Sequence, residues 1–445
     1  MKPAFKPNHQ SGNKVVDDFL RTTLEDRPRK MEYVPYNRFE DIRLIAEGGF
    51  SKIYNTKWID GPISDWDDER KVYNRFGAMT VVLKELSNSK KVTFKDLNEL
   101  NIFHNLVSLN RNYVSRDESN NNGNHNHNDS YCKYINKYYG ITQDPVTQNF
   151  MIVMEYHNLG DLTHYIARNF FNISWYSKIN ILQNIIYGLK NIHHANILHK
   201  DYHSGNIFLD KNTYHENVFT NNIENIEAIT GDLGLSTIEQ SDNDDSNEVY
   251  GIIPYIAPEI FKGQKYTKAS DIYSLGMIMW ELMTGRKPFW DQDHDTDLII
   301  EICDGFRPPI VTNAPEGYIK LMKRCWRSHP NERPKTADIY KEIEIIRTNE
   351  SGNVSTEVIK SSDIGPIPIN NNSGEIYKSR SLSAMIKYAE YLKSLRIQSS
   401  FMKSKKRKAD NNLLGDKPSK KIKLFEYYDG GYLTIEFELD IDINV

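Results

Sequence analysis

The stretch Asn196–Leu209, NILHKDYHSGNIFL, limits what this chain can fold into more than any other. Apolar residues flank a knot of His199, Lys200, Asp201, His203 and Asn206. A buried segment tolerates that many polar groups only if each has a partner. A carboxylate and a carboxamide five residues apart, at the mouth of an apolar strand, therefore mark a loop with work to do.

The periodicity around this loop places it in a cleft. From about Phe39 the chain reads as strands (FEDIRLIAEGGFSKIYNTKWI, AMTVVLKEL, then NFMIVMEY), and FKDLNELNIFHNL between them reads as a helix. After GDL the helical pattern dominates: Trp175 to Ala195, Lys268 to Thr284, Asp297 to Cys303 and Gly317 to Trp326. A small β-rich part before a larger helical part predicts an α+β fold of two lobes with a cleft between them. Residues 1–36 are polar and read as a disordered lead. The stretch at about 108–133, rich in Asn, Ser and His, reads as a low-complexity insertion, and its histidines lack the scaffold of a metal site.

The residues facing such a cleft suggest a chemistry. Asp201 can accept a proton from an incoming hydroxyl and orient it, and Asn206 can ligate a hard cation. Asp232, in AITGDLGLS, offers a second oxygen ligand suited to Mg²⁺. Lys84 ends the apolar run TVVLK, which carries its ammonium to the lobe boundary, and Glu99 on the next helix is its partner. A phosphate-facing lysine, two metal ligands, a hydroxyl-orienting carboxylate and a glycine turn form a phosphoryl-transfer set.

The order of these motifs resembles that of eukaryotic protein kinases over roughly residues 37–347. HKDYHSGN is similar to the HRDxxxxN catalytic loop, GDLG to DFG, TVVLK to the VAIK strand and IAEGGFSKIY to the glycine-rich loop. PYIAPE, SDIYSLGMIMWELMTGRKPF and CWRSHPNERP match later landmarks, and WELMTG with the CW…RP pattern is closest to the tyrosine-kinase-like group of serine/threonine kinases. The resemblance implies a bilobal kinase fold with ATP and Mg²⁺ as cofactors. Asp201 would be the catalytic base, Lys84 would pair with the α- and β-phosphates, held by Glu99, and Asn206 and Asp232 would bind the metal. Ile45, Ala46, Glu47, Gly48, Gly49, Phe50, Ser51 and Ile53 would cover the nucleotide. Glu155 and His157 would offer hinge backbone groups to adenine beside the gatekeeper Met154. Asp271 would brace the catalytic loop, and Glu259 would pair with Arg333 in a structural role.

Several positions depart from the family pattern. Ala46 and Ser51 replace the outer glycines of the loop, Val82 replaces an alanine against adenine, and Leu233 replaces the Phe of DFG. Lys200 replaces the arginine that clamps a phosphorylated activation loop. Lysine lacks the bidentate fork, so control by such phosphorylation should be weak, with the acidic EQSDNDDSNEVY partly standing in. Ile252 stands where serine/threonine kinases carry Thr, and His203 where they carry Lys. Tyr255 favours Ser/Thr hydroxyls over Tyr. A tyrosine or dual-specificity kinase is the alternative within enzymes. A pseudokinase scaffold is the alternative outside them, and it calls for loss of Lys84, Asp201 or Asp232, none of which is lost.

Beyond the kinase-like region, residues 348–421 read as a low-complexity, partly basic linker. Its basic clusters at 403–408 and 417–423 suit nuclear import, so the expected location is cytoplasmic or nuclear. No aromatic platform accompanies them, which argues against specific nucleic-acid binding. Residues 422–445 alternate with period two around DGG and read as a β-hairpin. Its apolar face should need a partner, either this chain or another protein. Three cysteines, Cys132, Cys303 and Cys325, without CxxC spacing suit a reducing setting. The N-terminal MKPAFKPNHQSGNKVV lacks the apolar core of a signal peptide, and no run is long enough to span a membrane. Net charge is only −4. Protein substrates are the expected partners.

Overall fold

The computed structural model describes residues 10–25, 30–47, 51–67, 69–70, 72–117, 132–211, 226–239, 248–351, 356–367, 376–409, 422–428 and 431–437. Its first element is helix α1 (Lys14–Glu25), which Asn13 caps by accepting from the backbone N–H groups of Val15 (2.9 Å) and Val16 (3.3 Å). Val16, Phe19 and Leu20 recur at helical spacing and are buried in the same cluster as Leu97, Leu100 and Phe103. Disorder across 1–36 is therefore corrected for this helix and for β1 (Glu32–Tyr33). A polar average hid one narrow apolar stripe, which is enough to dock a short helix.

Strands β2 (Phe39–Glu47) and β3 (Ser51–Trp58) form a hairpin, and β4 (Ile63–Asp67) pairs with β5 (Val72–Arg75) in a side ribbon. Then come β6 (Met79–Leu86), helix α2 (Asn98–Asp117), β7 (Tyr138–Gln143) and β8 (Phe150–Glu155). The small lobe is a six-stranded sheet in the order β1-β7-β8-β6-β3-β2, antiparallel except for the parallel pair β1–β7. β6 is central, and its Val81, Val82 and Leu83 are all buried, as a strand covered on both faces requires. Helix α2 runs to Asp117, past the point near 108 where the insertion was expected to begin. Residues 118–131 of that insertion lie outside the described residues.

The second lobe is mainly helical. Asp161 caps α3 (Leu162–Asn169) and Ser174 caps α4 (Trp175–His194) through backbone N–H groups at 2.9 and 3.1 Å. Short strands follow: β9 (Ile197–Leu198), β10 (Ile207–Lys211), β11 (Ile226–Thr230), β12 (Thr237–Ile238) and β13 (Tyr250–Gly251). β10 pairs with β11 and β9 with β12, both antiparallel. Next are α5 (Pro258–Phe261), α6 (Lys268–Thr284), α7 (Thr296–Cys303), α8 (Tyr318–Cys325) and α9 (Thr336–Glu350). A Thr267/Ser270 capping box opens α6, and the helix is buried from Ser270 through Thr284. It stops at Gly285, in the left-handed region at φ 74°, where a Cβ would sit 2.6 Å from the Phe170 ring.

The chain beyond α9 is more structured than a linker. Gly365 N–H donates to Thr284 O (2.7 Å), Arg286 reaches the carbonyls of Ser362 and Gly365, and Ile364 is buried. Strand β14 (Arg380–Ser381) pairs antiparallel with β13, and helix α10 (Ser383–Ala409) follows with Ile386 and Ala389 buried. The expectation of a low-complexity linker over 348–421 is corrected for these segments. Leu382, Ile386 and Ala389 are few in a polar context, yet they find apolar cover in three dimensions. The first compact unit extends through Ala389, and Glu390–Val445 forms a second. Within the second, β15 (Ile422–Tyr428) and β16 (Gly431–Phe437) pair antiparallel, from Ile422↔Phe437 to Tyr428↔Gly431. The alternation beyond Phe437 lies outside the described residues. Among the described residues no helix is long and apolar enough to cross a membrane.

Candidate active site

The central strand β6 carries Lys84 opposite Ile53 on β3 and Ile152 on β8. The first turn of α2 supplies Glu99, and the turn after β11 supplies Asp232, whose backbone is left-handed (φ 54°). These three side chains meet: Lys84 Nζ donates to Glu99 Oε2 and to Asp232 Oδ1, each at 2.8 Å. Tyr138 OH donates to the other Glu99 oxygen at 2.8 Å, and Asn98 Nδ2 holds the carbonyls of Gly234 (2.9 Å) and Ser236 (3.0 Å). Helix α2 and the Asp232 turn are thus tied together twice.

Burial would pull Lys84 toward neutrality, but Asp232 and Glu99 outweigh it and hold the ammonium protonated. Burial likewise works against the Asp232 carboxylate, and Lys84 wins, so its pKa stays below the ordinary value. For Glu99 burial prevails and the direction is upward.

The loop between β9 and β10 is hung from α6. Asp271 accepts from the backbone N–H groups of His199 (2.9 Å) and Lys200 (3.0 Å) and from His193 Nε2 (2.9 Å). Lys200 takes a positive φ of 71° there, a conformation that those bonds maintain against its steric cost. His199 Nε2 lies 3.0 Å from Gly231 O, so its role is to join this loop to the Asp232 turn. Asn206 Nδ2 donates to Asp201 O at 2.9 Å and its own carbonyl accepts from Gly231 N–H. With its Nδ2 so committed, Asn206 presents Oδ1 as the donor atom for a cation, and Asp232 retains Oδ2 beside the oxygen bound to Lys84. Two hard oxygens of this kind fit Mg²⁺. Among the described residues no group of three or more His, Cys, Asp or Glu forms a metal cage, so such an ion would depend on a ligand such as a phosphate to complete its shell.

Other candidates fall as follows. Ile45, Ala46 and Glu47 lie on β2, with Ser51 and Ile53 on β3, in the register Ala46↔Ile53 and Glu47↔Lys52. Gly48, Gly49 and Phe50 lie outside the described residues. Val82 sits opposite Met154, on the same sheet as Lys84. Glu155 spends its N–H on Lys137 O (3.0 Å), which leaves its carbonyl as the group it can turn to a ligand. His157 Nε2 is 3.0 Å from Asn136 Oδ1 and its ring stacks on Phe208. Glu259 and Arg333 form a buried bidentate pair at 2.6 and 2.7 Å. They support the large lobe.

Some positioning roles had no clear signal in the sequence, although His203 stood out among the polar residues of its loop. His203 accepts from Gly205 N–H through Nδ1, which points Nε2–H toward Asp201 Oδ2 at 3.7 Å. Burial lowers its pKa, but the Asp201 carboxylate more than offsets that, and the net direction is upward. Tyr138 and Asn98 were also not evident as supports. Their motif-free positions become meaningful only when β7 and α2 are packed. Lys200 places its ammonium 5.1 Å from the Tyr266 ring centre.

Comparison with known proteins agrees with this geometry. The family described as protein tyrosine and serine/threonine kinase matches residues 124–343, which takes in Asp201, Asn206 and Asp232 and begins after Lys84 and Glu99. The dual specificity protein kinase splA of Dictyostelium discoideum is 30% identical over 187 residues, 41% of this chain and 8% of that protein. Ephrin type-A receptor 6 of Homo sapiens is 28% identical over 211 residues, 46% of this chain and 19% of the receptor. A protein of Acanthamoeba polyphaga mimivirus, R831, whose name includes the words serine/threonine-protein kinase/receptor, is 28% identical over 200 residues, 44% of this chain and 11% of its own length. The chain thus spans less than a fifth of each of these relatives.

Proposed function

The chain carries a domain of the eukaryotic protein kinase superfamily, and from that premise we propose that it transfers the γ-phosphoryl group of ATP to Ser/Thr hydroxyls of protein substrates, as a member of the tyrosine-kinase-like group. The observation that carries this reading is the Lys84 ammonium bridging Glu99 and Asp232 at 2.8 Å each, beside a catalytic loop hung from Asp271. In the transfer the acceptor oxygen forms a bond to the γ-phosphorus, the bond to the β–γ bridging oxygen breaks, and ADP leaves with that electron pair. Asp201 takes the hydroxyl proton. Its orientation follows from Asn206 on its carbonyl and from the His203 Nε2–H near its carboxylate. Lys84, held in place by Glu99, would pair with the α- and β-phosphates of the nucleotide. Mg²⁺ held by Asn206 and Asp232 would offset phosphate charge.

As part of the same proposal the protein is cytoplasmic with entry to the nucleus, a location that the basic stretches at 403–408 and 417–423 suit. The test is transfer of labelled phosphate from Mg²⁺–ATP to degenerate Ser, Thr and Tyr peptide libraries. Wild-type protein should label Ser and Thr, and Asp201→Asn and Lys84→Met should each lose about 10²-fold or more while still folding. Turnover near wild type in either variant would overturn the reading, and label on Tyr alone would replace the Ser/Thr part of it.

A further inference from the structure

Strand β13 lies beside the catalytic carboxylate. Gly251 has φ 142°, and a Cβ built there would come 3.4 Å from Asp201 Oδ1. An acceptor peptide that delivers a hydroxyl to Asp201 has to run past this backbone. That edge is already taken by the chain itself. β14 pairs antiparallel with it in the register Tyr250↔Ser381 and Gly251↔Arg380. Leu382 N–H donates to Val249 O (2.8 Å), and Val249 N–H donates to Ser383 Oγ (3.0 Å). Paired strands lie about 4.8 Å apart, so the backbone at Arg380 passes within about 10 Å of the Asp201 carboxylate.

Side chains on either side of β14 anchor it. Tyr377 donates to Pro288 O (3.0 Å), packs edge-on against His294 with centroids 4.6 Å apart, and lies 4.4 Å from the Lys287 ammonium. Arg380 Nη2 donates to His294 O at 2.8 Å. On the other side Leu382 is fully buried and Ile386 nearly so. The aromatic anchor, the extended backbone pairing and the apolar anchor together make a peptide-binding mode by strand addition.

We propose that residues 376–389 are a built-in occupant of the acceptor-peptide groove, so that a protein substrate must displace this segment from β13 to reach Asp201. The inference rests on the kinase reading above. It also defines the groove: the Gly251 strand edge, an aromatic socket formed by Lys287, Pro288 and His294, and an apolar seat for Leu382. A peptide competing for it should carry an aromatic residue three positions before a basic one, as Tyr377 precedes Arg380.

The test uses the full chain with Tyr377→Ala and Leu382→Asp combined, and a degenerate Ser/Thr peptide library as acceptor. The KM for peptide should fall at least fivefold, with kcat and the KM for ATP unchanged. An unchanged peptide KM would mean that the segment only clasps the lobe, and would overturn the proposal. Should the double variant not fold, Arg380→Ala is expected to move the peptide KM in the same direction by a smaller factor. A fluorescein-labelled peptide of residues 376–389 should bind the released chain, raise anisotropy, and be displaced by the acceptor library but not by ATP. This arm needs no turnover. A chain inert toward Mg²⁺–ATP would sink the kinase reading alone, whereas absent binding, or binding that the library fails to displace, would sink the groove proposal whatever the activity.

Discussion

Lys178 on α4 is 1% exposed, and its ammonium has no hydrogen-bond partner among the described residues. It sits 3.7 Å from the Phe170 ring centre and 5.0 Å from that of Trp175, whose faces offset part of its lost hydration. Burial lowers its pKa to about 7. A lysine with a folded pKa below its unfolded one carries its full penalty at low pH, where both states are charged. The penalty shrinks as pH rises from about 7 toward the unfolded value near 10.4. Lys178→Met should therefore stabilise the protein at pH 6 by a few kcal/mol, at about 1.4 kcal/mol per pKa unit, and by progressively less above pH 8. Urea unfolding across that range reads it directly. A variant less stable than wild type at pH 6 would show that the aromatic faces do more than offset desolvation.

At the scale of elements, α1 is an addition to the small lobe that shares a core with α2. Phe19 is 5% exposed within that core. Phe19→Ala should cost about 3–5 kcal/mol in chemical denaturation, as for a buried aromatic in any well-packed core, whereas a change at exposed Arg21 should cost almost nothing. A cost below about 1 kcal/mol would mean that the helix docks only weakly. Because α2 carries Glu99, loosening α1 should also raise the KM for ATP. The β13–β14 ladder is the other element-scale device. It joins Tyr250 and Gly251 to residues some 130 positions later.

Across the whole molecule, the proposed nucleotide site draws on β6, α2, the β9–β10 loop and the turn after β11, all within the unit that ends at Ala389. Ligand that binds only the folded state stabilises it by mass action, about 2.7 kcal/mol at a hundredfold excess over Kd. Mg²⁺–ATP should thus raise the melting temperature of the full chain, and EDTA should remove the metal-dependent part of the shift. Asp232→Asn keeps an oxygen but loses the charge, and should abolish that part. An equal shift with and without Mg²⁺ would exclude Asp232 and Asn206 as its ligands.

Much of this site was legible in the one-dimensional chain. Asp201 and Asn206 are five residues apart in one loop, the offset that the proposed proton acceptor and cation ligand would need along a single backbone. Lys84 closes an apolar run because an ammonium reaches the lobe boundary only on a strand that is itself buried. Period-two alternation marked the sheet and the stretch from Ile422 to Phe437, and helical spacing marked α4, α6 and α8. These are local constraints, written within a few residues of where they act. The tertiary structure alone decided the rest. Val16, Phe19 and Leu20 look like strays in a polar lead, and Leu382 and Ile386 like strays in a linker, until the surfaces that bury them are formed by distant parts of the chain. His203 faces Asp201 only because Gly205 N–H fixes its ring, and Tyr138 reaches Glu99 only because β7 and α2 pack together. Burial of a few apolar groups against a distant, complementary surface has no short-range signature, and for that reason the ends of the chain were misjudged, whereas the residues that meet around Lys84 and Asp232 stood out in the sequence.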